Sequence, residues 1–397
     1  MKRIIIFLIA IVSFAFPLRG QDGAHFEQVI NNGFAYRNLG PFRVSAWVSD
    51  IAVPETPAKA HLYTFYVGVR NGGVWKTTNN GTTFTPIFEG KMSRRSERWP
   101  SLRQTARSFW VGTGDASCTR SANPGNGIYK SVDGGANWKH MGLQDSQHIA
   151  RVVIHPTNPT SFTSPPWVTS FSTNEERGVF KSTDGGVTWK KVFYLNERTG
   201  VVDLVIDRSH PNTLYAATYE CMRRPWRLED GGPASGIYKT TDGGSGWKQL
   251  AGGLPAGTIG RIGLDLYQKD PNILYAVVDN RNKSTAAPAT PQPPGTPAVE
   301  RLIGGEVYRT DDGGLTWRKT NSARDDVGRK TGYAFNQLRI DPNNPDRVFI
   351  TGSSITSSED GGKTWAGLSR DRRATGFFAG PSATFAPCGS TAKTRTG

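Results

Sequence analysis

Ser182-Thr183-Asp184-Gly185-Gly186-Val187-Thr188-Trp189 is the stretch that decides the fold, because the chain repeats it. The octad returns as Ser131-Val-Asp133-Gly-Gly135-Ala-Asn-Trp138, Thr240-Thr-Asp242-Gly-Gly244-Ser-Gly-Trp247, Thr310-Asp-Asp312-Gly-Gly314-Leu-Thr-Trp317 and Ser358-Glu-Asp360-Gly-Gly362-Lys-Thr-Trp365. A degenerate copy, Thr77-Thr-Asn79-Asn-Gly81-Thr-Thr-Phe84, comes first. The Asp or Asn positions are separated by 54, 51, 58, 70 and 48 residues. Internal repetition at this period is read before any single motif.

The residues around each octad describe a hairpin. Trp75, Tyr129, Phe180, Tyr238 and Tyr308 stand four residues before the Asp or Asn, each followed by Lys or Arg. The hydroxyl and carboxylate can accept hydrogen bonds from turn N–H groups. The glycines supply positive φ, and the closing Trp or Phe is expected to be largely buried against the hairpin. Before each hairpin runs a second motif of β-rich segments around a Pro/Asn turn. Leu338-Arg-Ile340-Asp-Pro-Asn-Asn-Pro345-Asp-Arg-Val-Phe349 is one example and Val152-Val-Ile154-His-Pro156 another. No segment of comparable length has a helical period. One repeat is therefore four strands in roughly 50 residues, the size of a propeller blade. The expected fold is an all-β propeller of four-stranded blades, with about six blades visible in a ring left open.

Ser/Thr-x-Asp-x-Gly-x-x-Trp resembles the Asp-box, or bacterial neuraminidase repeat, and the resemblance covers most of residues 40–365. The Gly-Ile-Tyr-Lys-Ser/Thr hairpins look most like bacterial secreted sortilin-like proteins, with sialidases and xyloglucanase-type glycosidases as relatives. The resemblance implies the propeller fold, an Asp-box that serves as scaffold, and a ligand site away from it. Asn79, Asp133, Asp184, Asp242, Asp312 and Asp360 are accordingly read as structural.

Lys2 and Arg3 precede an apolar run from Ile4 to Phe16, the length of a signal-peptide core and short for a bilayer. The expected organisation is a signal peptide over 1–20, a lead-in over 21–47, the propeller over 48–368 and an irregular tail over 369–397. Export to the periplasm, cell surface or extracellular space follows, with no transmembrane segment after cleavage. The formal net charge is +15, but residues 1–20, 91–107 and 366–397 carry +12 of it. The body is nearly neutral, which argues against a nucleic-acid partner. Cys118, Cys221 and Cys388 are too sparse for a disulfide scaffold and show no metal spacing. An exported chain would allow a Cys118–Cys221 bridge, but the separation across several repeats favours unpaired thiols. No cofactor or metal is expected.

Three places break the pattern. Residues 91–108 show no β alternation where the second blade needs its first strand. Thr160–Thr169 replaces the second strand of the third blade. After Trp365 the chain turns Arg/Ala/Thr/Gly-rich and leaves the repeat. Local reading-frame shifts are the reading favoured over genuine surface loops, and two blades are expected to lack a strand.

Strands within a blade alternate in direction, so the Asp-boxes and Pro/Asn turns share one end and the variable loops the other. Binding usually resides in variable loops on a rigid scaffold. The candidate ligand residues there are Asp115, Arg120, Asp145, His148, Arg151, Glu197, Glu220, Arg223, Arg224 and Trp226, with Arg198, Arg227, Glu229 and Asp230 beside them. Carboxylates suit sugar hydroxyls, arginines suit carboxylates and Trp suits stacking. Residues 283–299 read as a flexible Pro/Ala/Thr insertion. No spacing singles out the pair of carboxylates a glycosidase needs, and Phe42-Arg43-Val44-Ser45 lacks the proline of the sialidase Arg-Ile-Pro motif. The reading is an exported module binding a peptide or a carbohydrate. A glycoside hydrolase of the same superfold, or a truncated non-functional fragment, stands as the alternative.

Overall fold

The structure is a computed structural model. It describes residues 48–54, 59–70, 72–88, 101–104, 109–120, 122–158, 162–164, 171–285, 301–322, 326–327, 332–352 and 355–367. These residues form six antiparallel sheets, five of four strands and one of five. The first sheet is Val48–Ala52, Phe65–Val69, Gly73–Thr77 and Thr85–Pro86. The second is Ser101–Gln104, Phe109–Gly112, Ile128–Ser131 and Lys139–His140. Val153–Ile154, Phe162–Ser164, Val179–Ser182 and Lys190–Phe193 make the third. The fourth holds Thr199–Ile206, Leu214–Arg223, Gly236–Thr240 and Lys248–Leu250, with Leu228–Asp230 added beside Leu214–Arg223. Ile259–Leu266, Leu274–Lys283, Leu302–Thr310 and Arg318–Lys319 make the fifth. The sixth is Gln337–Asp341, Asn344–Thr351, Ile355–Ser358 and Ala366–Gly367. Every sheet runs in chain order from first to last strand, so the molecule is the all-β propeller that the repeat predicts. Two short 3-10 turns are the only helical pieces among the described residues.

Two strands contradict the expected losses. Ser101–Gln104 pairs with Phe109–Gly112 and supplies the second sheet's first strand. Phe162–Ser164 pairs with both neighbours and supplies the third sheet's second. Strand pairing runs through backbone groups, so residues without β-like composition can still complete a sheet. The tail from 369 and the lead-in before 48 lie outside the described residues, as does the expected insertion 283–299 except for its first three residues, of which Lys283 pairs with Leu302 and Ser284 N donates to the Arg301 carbonyl.

Each repeat turn is built as the sequence predicts. The Ser182 hydroxyl donates to Asp184 Oδ1 at 2.8 Å and accepts from Gly186 N at 2.8 Å. Asp184 in turn accepts from Thr188 N at 3.0 Å and from the Thr188 hydroxyl at 2.5 Å. The same pattern recurs at Asp133, Asp242, Asp312 and Asp360, and weakly at Asn79. The second glycine is required twice over. Gly186 sits at φ 89°, and a Cβ there would lie 2.8 Å from the Trp110 ring of the preceding sheet.

The closing aromatics do something the hairpin picture omits. Only Trp317 is buried; Phe84, Trp138, Trp189, Trp247 and Trp365 are half-buried. Phe84 packs within the first sheet, while the tryptophans sit at the seams between sheets. Trp138, Trp189 and Trp247 donate their indole N–H to the carbonyls of Ile87, Met141 and Val192 on the preceding sheet, at 2.7, 2.7 and 3.1 Å. The basic residue before each turn reaches the other way. Lys181 and Lys239 donate to the Gly243 and Gly313 carbonyls of the next turn, both at 2.8 Å.

The core is a series of apolar seams. One cluster joins the first and second sheets through Tyr66, Phe88, Phe109 and Tyr129, and another joins the second and third through Trp110, Ile128, Ile149 and Val152. Further clusters join the third to the fourth, the fourth to the fifth and the fifth to the sixth. Among the described residues no cluster joins the sixth sheet to the first.

Candidate functional site

The loop after Phe109–Gly112 crosses the variable end and ties distant sheets together. Cys118 is disulfide-bonded to Cys221 of the fourth sheet, which corrects the expectation of unpaired thiols. The loop brings together two cysteines 103 residues apart, so separation across repeats is no barrier. The same loop accepts from Arg261 of the fifth sheet at the Ala116 carbonyl, 2.8 Å away. Cys118 N donates to the Tyr333 carbonyl, ahead of the sixth sheet, at 3.0 Å. Asp115 pairs with Arg70 of the first sheet at 3.1 Å, both buried. Burial raises the Asp115 carboxyl above its ordinary range against the pull of Arg70.

Several predicted ligand residues therefore belong to the scaffold. Asp115 is fully buried in this loop and presents nothing to solvent. Arg151 is buried in an ion pair with Asp203 at 2.6 Å, joining the third and fourth sheets. His148 is also buried; burial and the nearby Arg177 charge push its imidazole down to about 3, so it stays neutral. Arg223 lies buried over the Tyr333 ring at 5.8 Å. A charged residue reads as surface in sequence because burial by pairing leaves no local signature. Arg120, Asp145 and Glu197 are exposed, and nothing in the structure gathers them into one site.

What does gather is the extended hairpin of the fourth sheet. Leu214–Arg223 runs past its sheet and folds back as Leu228–Asp230, with Cys221 opposite Asp230 and Arg223 opposite Leu228. Arg224 N donates to the Arg227 carbonyl at 2.7 Å and closes the tip. Trp226, at that tip, is 82% exposed and makes no ring contact or hydrogen bond among the described residues. The indole therefore presents its apolar face to solvent. Beside it, Glu229 receives Arg198 at 2.5 Å, Arg227 at 3.0 Å and Arg224 at 3.9 Å. Arg198 also lies 3.9 Å from Glu220.

At the hairpin base a second group forms that the sequence reading missed in part. Tyr219 donates to Asp230, and Arg281 of the fifth sheet pairs with Asp230 at 2.8 Å and with Asp279 at 3.7 Å. Asp279 is 1% exposed, and neither of its carboxylate oxygens has a hydrogen-bond partner. Burial, then the Asp230 charge, push its carboxyl up to about 7. Glycine is needed at 332, since a Cβ would come within 2.5 Å of Asp279 Oδ2. The available signal for Asp279 and Arg281 was strand length. Leu274–Lys283, like Leu214–Arg223, is ten residues long and carries charged residues toward its end.

A cavity of about 540 Å³ opens at the opposite end between the first two sheets, lined by Lys76, Thr85, Asp133 and Gly135 among others. Asp133 there is committed to its own turn.

No family model and no curated protein matches the sequence. Among solved structures, a GH74 enzyme from Niastella koreensis superimposes with a TM-score of 0.55 at 19% identity over 80% of this chain. The fold is similar to that of GH74 enzymes. An ancestral GH74 enzyme gives 0.53 at 18% identity over 84%. This chain spans only 46% and 39% of those two structures. YCF48 from Cyanidioschyzon merolae gives 0.49 at 16% identity, with 83% of this chain covered and 87% of that one. These likenesses concern the fold alone.

Proposed function

We propose that the chain is an exported propeller of the sortilin-like, Asp-box kind, acting as a binding module that takes a glycan at its variable end. The observation that carries this is Trp226, 82% exposed at the tip of a rigid hairpin and flanked by arginines and a carboxylate. An indole face stacks on the apolar face of a sugar ring, while guanidinium and carboxylate groups take its hydroxyls. The disulfide at Cys221 and the Arg281–Asp230 pair anchor the hairpin at its base, so little ordering accompanies binding. Calorimetry with neutral and acidic oligosaccharides tests the reading. Binding that Trp226→Ala reduces at least about tenfold, or about 1.4 kcal/mol, is expected if the indole stacks on the sugar. Failure of every glycan to bind would sink it.

One observation favours a second reading, glycoside hydrolysis. Asp230 and Asp279 are two carboxylates that share Arg281 at the variable end. With Asp279 enclosed and Asp230 engaged by Tyr219 and Arg281, binding is the reading preferred here. Release of new reducing ends by the wild-type chain and its loss in Asp230→Asn would reverse that preference.

A further inference from the structure

We infer that the glycan bound at the Trp226 hairpin carries carboxylates, as a chain of hexuronate sugars does. The inference rests on the glycan-binding reading above and concerns the charge of its ligand.

Three guanidiniums, from Arg198, Arg224 and Arg227, converge on the single carboxylate of Glu229 within 2.5–3.9 Å. Glu220 adds a second carboxylate, 3.9 Å from Arg198 alone. Asp230, next in sequence to Glu229, is turned away to Tyr219 and Arg281. Glu197, next to Arg198, is exposed and forms no ion pair among the described residues. The group thus keeps one uncompensated positive charge, on side chains that solvent reaches. Arg224 and Arg227 are 45% and 68% exposed at their side chains.

Guanidinium groups have five donors each, and one carboxylate cannot satisfy three of them. Arg224 and Arg227 belong to the same closed turn as Trp226, and their remaining donors lie open to solvent. A carboxylate on a sugar stacked on the indole would find planar guanidinium forks on the same tip, the geometry such groups recognise best. A neutral sugar would find the same stacking surface without that partner. Glu229 holds the arginines in place in the free protein, and it competes with any acidic ligand for them. An acidic peptide presents carboxylates too, but it has no rigid apolar ring face to cover the indole, so the exposed Trp favours the sugar.

The test uses the full chain and three probes of equal length: a de-esterified oligogalacturonide, a neutral cello-oligosaccharide and an oligoglutamate. Calorimetry at low and high salt gives the affinities. The oligogalacturonide should bind at least about tenfold more tightly than the neutral sugar, the margin of one charge-assisted contact. Raising the salt should shrink that margin. Arg227→Ala should weaken the acidic sugar and spare the neutral one, while Trp226→Ala weakens both. Glu229→Gln is the discriminating variant, because it removes the competing carboxylate and should tighten the acidic sugar. Unchanged denaturant midpoints would show that these exposed positions leave the fold intact. Equal affinity for the acidic and neutral sugars, or weaker acidic binding in Glu229→Gln, overturns the inference while the glycan reading stands. Tighter binding of oligoglutamate than of the uronide overturns it in favour of a peptide. Failure of both sugars to bind overturns the inference together with the reading beneath it.

Discussion

The indole N–H of Trp189 donates to the carbonyl of Met141, one sheet back, at 2.7 Å. The repeat's most conspicuous residue is therefore a joint between neighbours as well as a lid on its own turn. A fully buried Trp→Ala change costs roughly 3–5 kcal/mol, and half-burial brings the expectation for Trp189→Ala to about 2–3 kcal/mol. Trp189→Phe keeps most of the packing and should cost about 1 kcal/mol for the lost hydrogen bond. Lys190→Ala, exposed beside it, should stay within about 0.5 kcal/mol. Urea midpoints of the three variants check this order; a Phe variant as costly as the Ala one would assign the whole effect to the N–H.

The repeat turns should make the protein acid-sensitive. The Asn137 N–H, with the Ser131 hydroxyl next, holds the Asp133 carboxyl down to about 2 from an ordinary 3.8. Hydroxyl and backbone donors lower Asp242 and Asp312 as well. A group whose folded value lies below its unfolded one binds more protons unfolded, so its stabilisation is present above about pH 4 and is lost as pH falls toward 2. Urea midpoints between pH 5 and 2 should drop, and Asp133→Asn should drop less over that window. A variant slope equal to the wild type's would remove Asp133 from the account.

The turn chemistry was legible because each turn's partners lie within a few residues of one another: Ser182, Asp184, Gly186 and Thr188 bond among themselves. The seams were not, since Trp138, Trp189 and Trp247 all reach backbone carbonyls, which any residue supplies. Strand Ser101–Gln104 was hidden for the same reason. At the variable end, Glu220, Arg224 and Trp226 were legible as an over-long loop of the fourth repeat. Asp115 and Arg151 were misplaced because their partners, Arg70 and Asp203, lie in other repeats and only folding joins them, and His148 because its burial has no local signature.

Asp279 should reverse the acid trend over a different window. Its carboxyl is raised to about 7, so the folded state binds more protons than the unfolded chain between about pH 4 and 7. Its contribution is fully present below pH 4 and is lost as pH rises through 7. Asp279→Asn keeps the shape, removes the charge, and should flatten stability over that range. Thermal midpoints at pH 5 and pH 8 provide the check. A variant that loses stability at pH 8 would show that the ionised carboxylate is wanted there.

Reduction should loosen the variable end. Closing a loop of about 100 residues removes up to roughly 4–5 kcal/mol of unfolded-state freedom in the chain-entropy account. Thiol titration of the denatured, unreduced chain should find one thiol, and three after reduction. Cys118→Ser should lower the thermal midpoint and make it insensitive to reductant. Three thiols before reduction would remove the bridge.

The last test concerns the joint between Arg70 and Asp115, the ion pair that ties the first sheet to the loop carrying Cys118. No apolar cluster among the described residues joins the sixth sheet to the first, so this loop is one of the polar links from the first sheet to the fourth, fifth and sixth, beside the charge of Asp50 near Arg151 and Arg339. Both side chains are buried, and Asp115 also accepts from Ser117 N at 2.9 Å. Taking away one member of a buried pair strands the other's charge, at a cost of about 3–5 kcal/mol. Arg70→Met should therefore be severe. Asp115→Asn strands the guanidinium instead and should be comparably costly. The double variant buries no charge and should recover at least about half of the loss, a coupling that a double-mutant cycle reads directly. Additive losses would mean that the two residues act separately and that the loop is held by its other ties, the Arg261–Ala116 hydrogen bond and the disulfide. Coupled losses accompanied by faster cleavage of 113–127 in limited proteolysis would identify this ion pair as what fastens the loop to the first sheet.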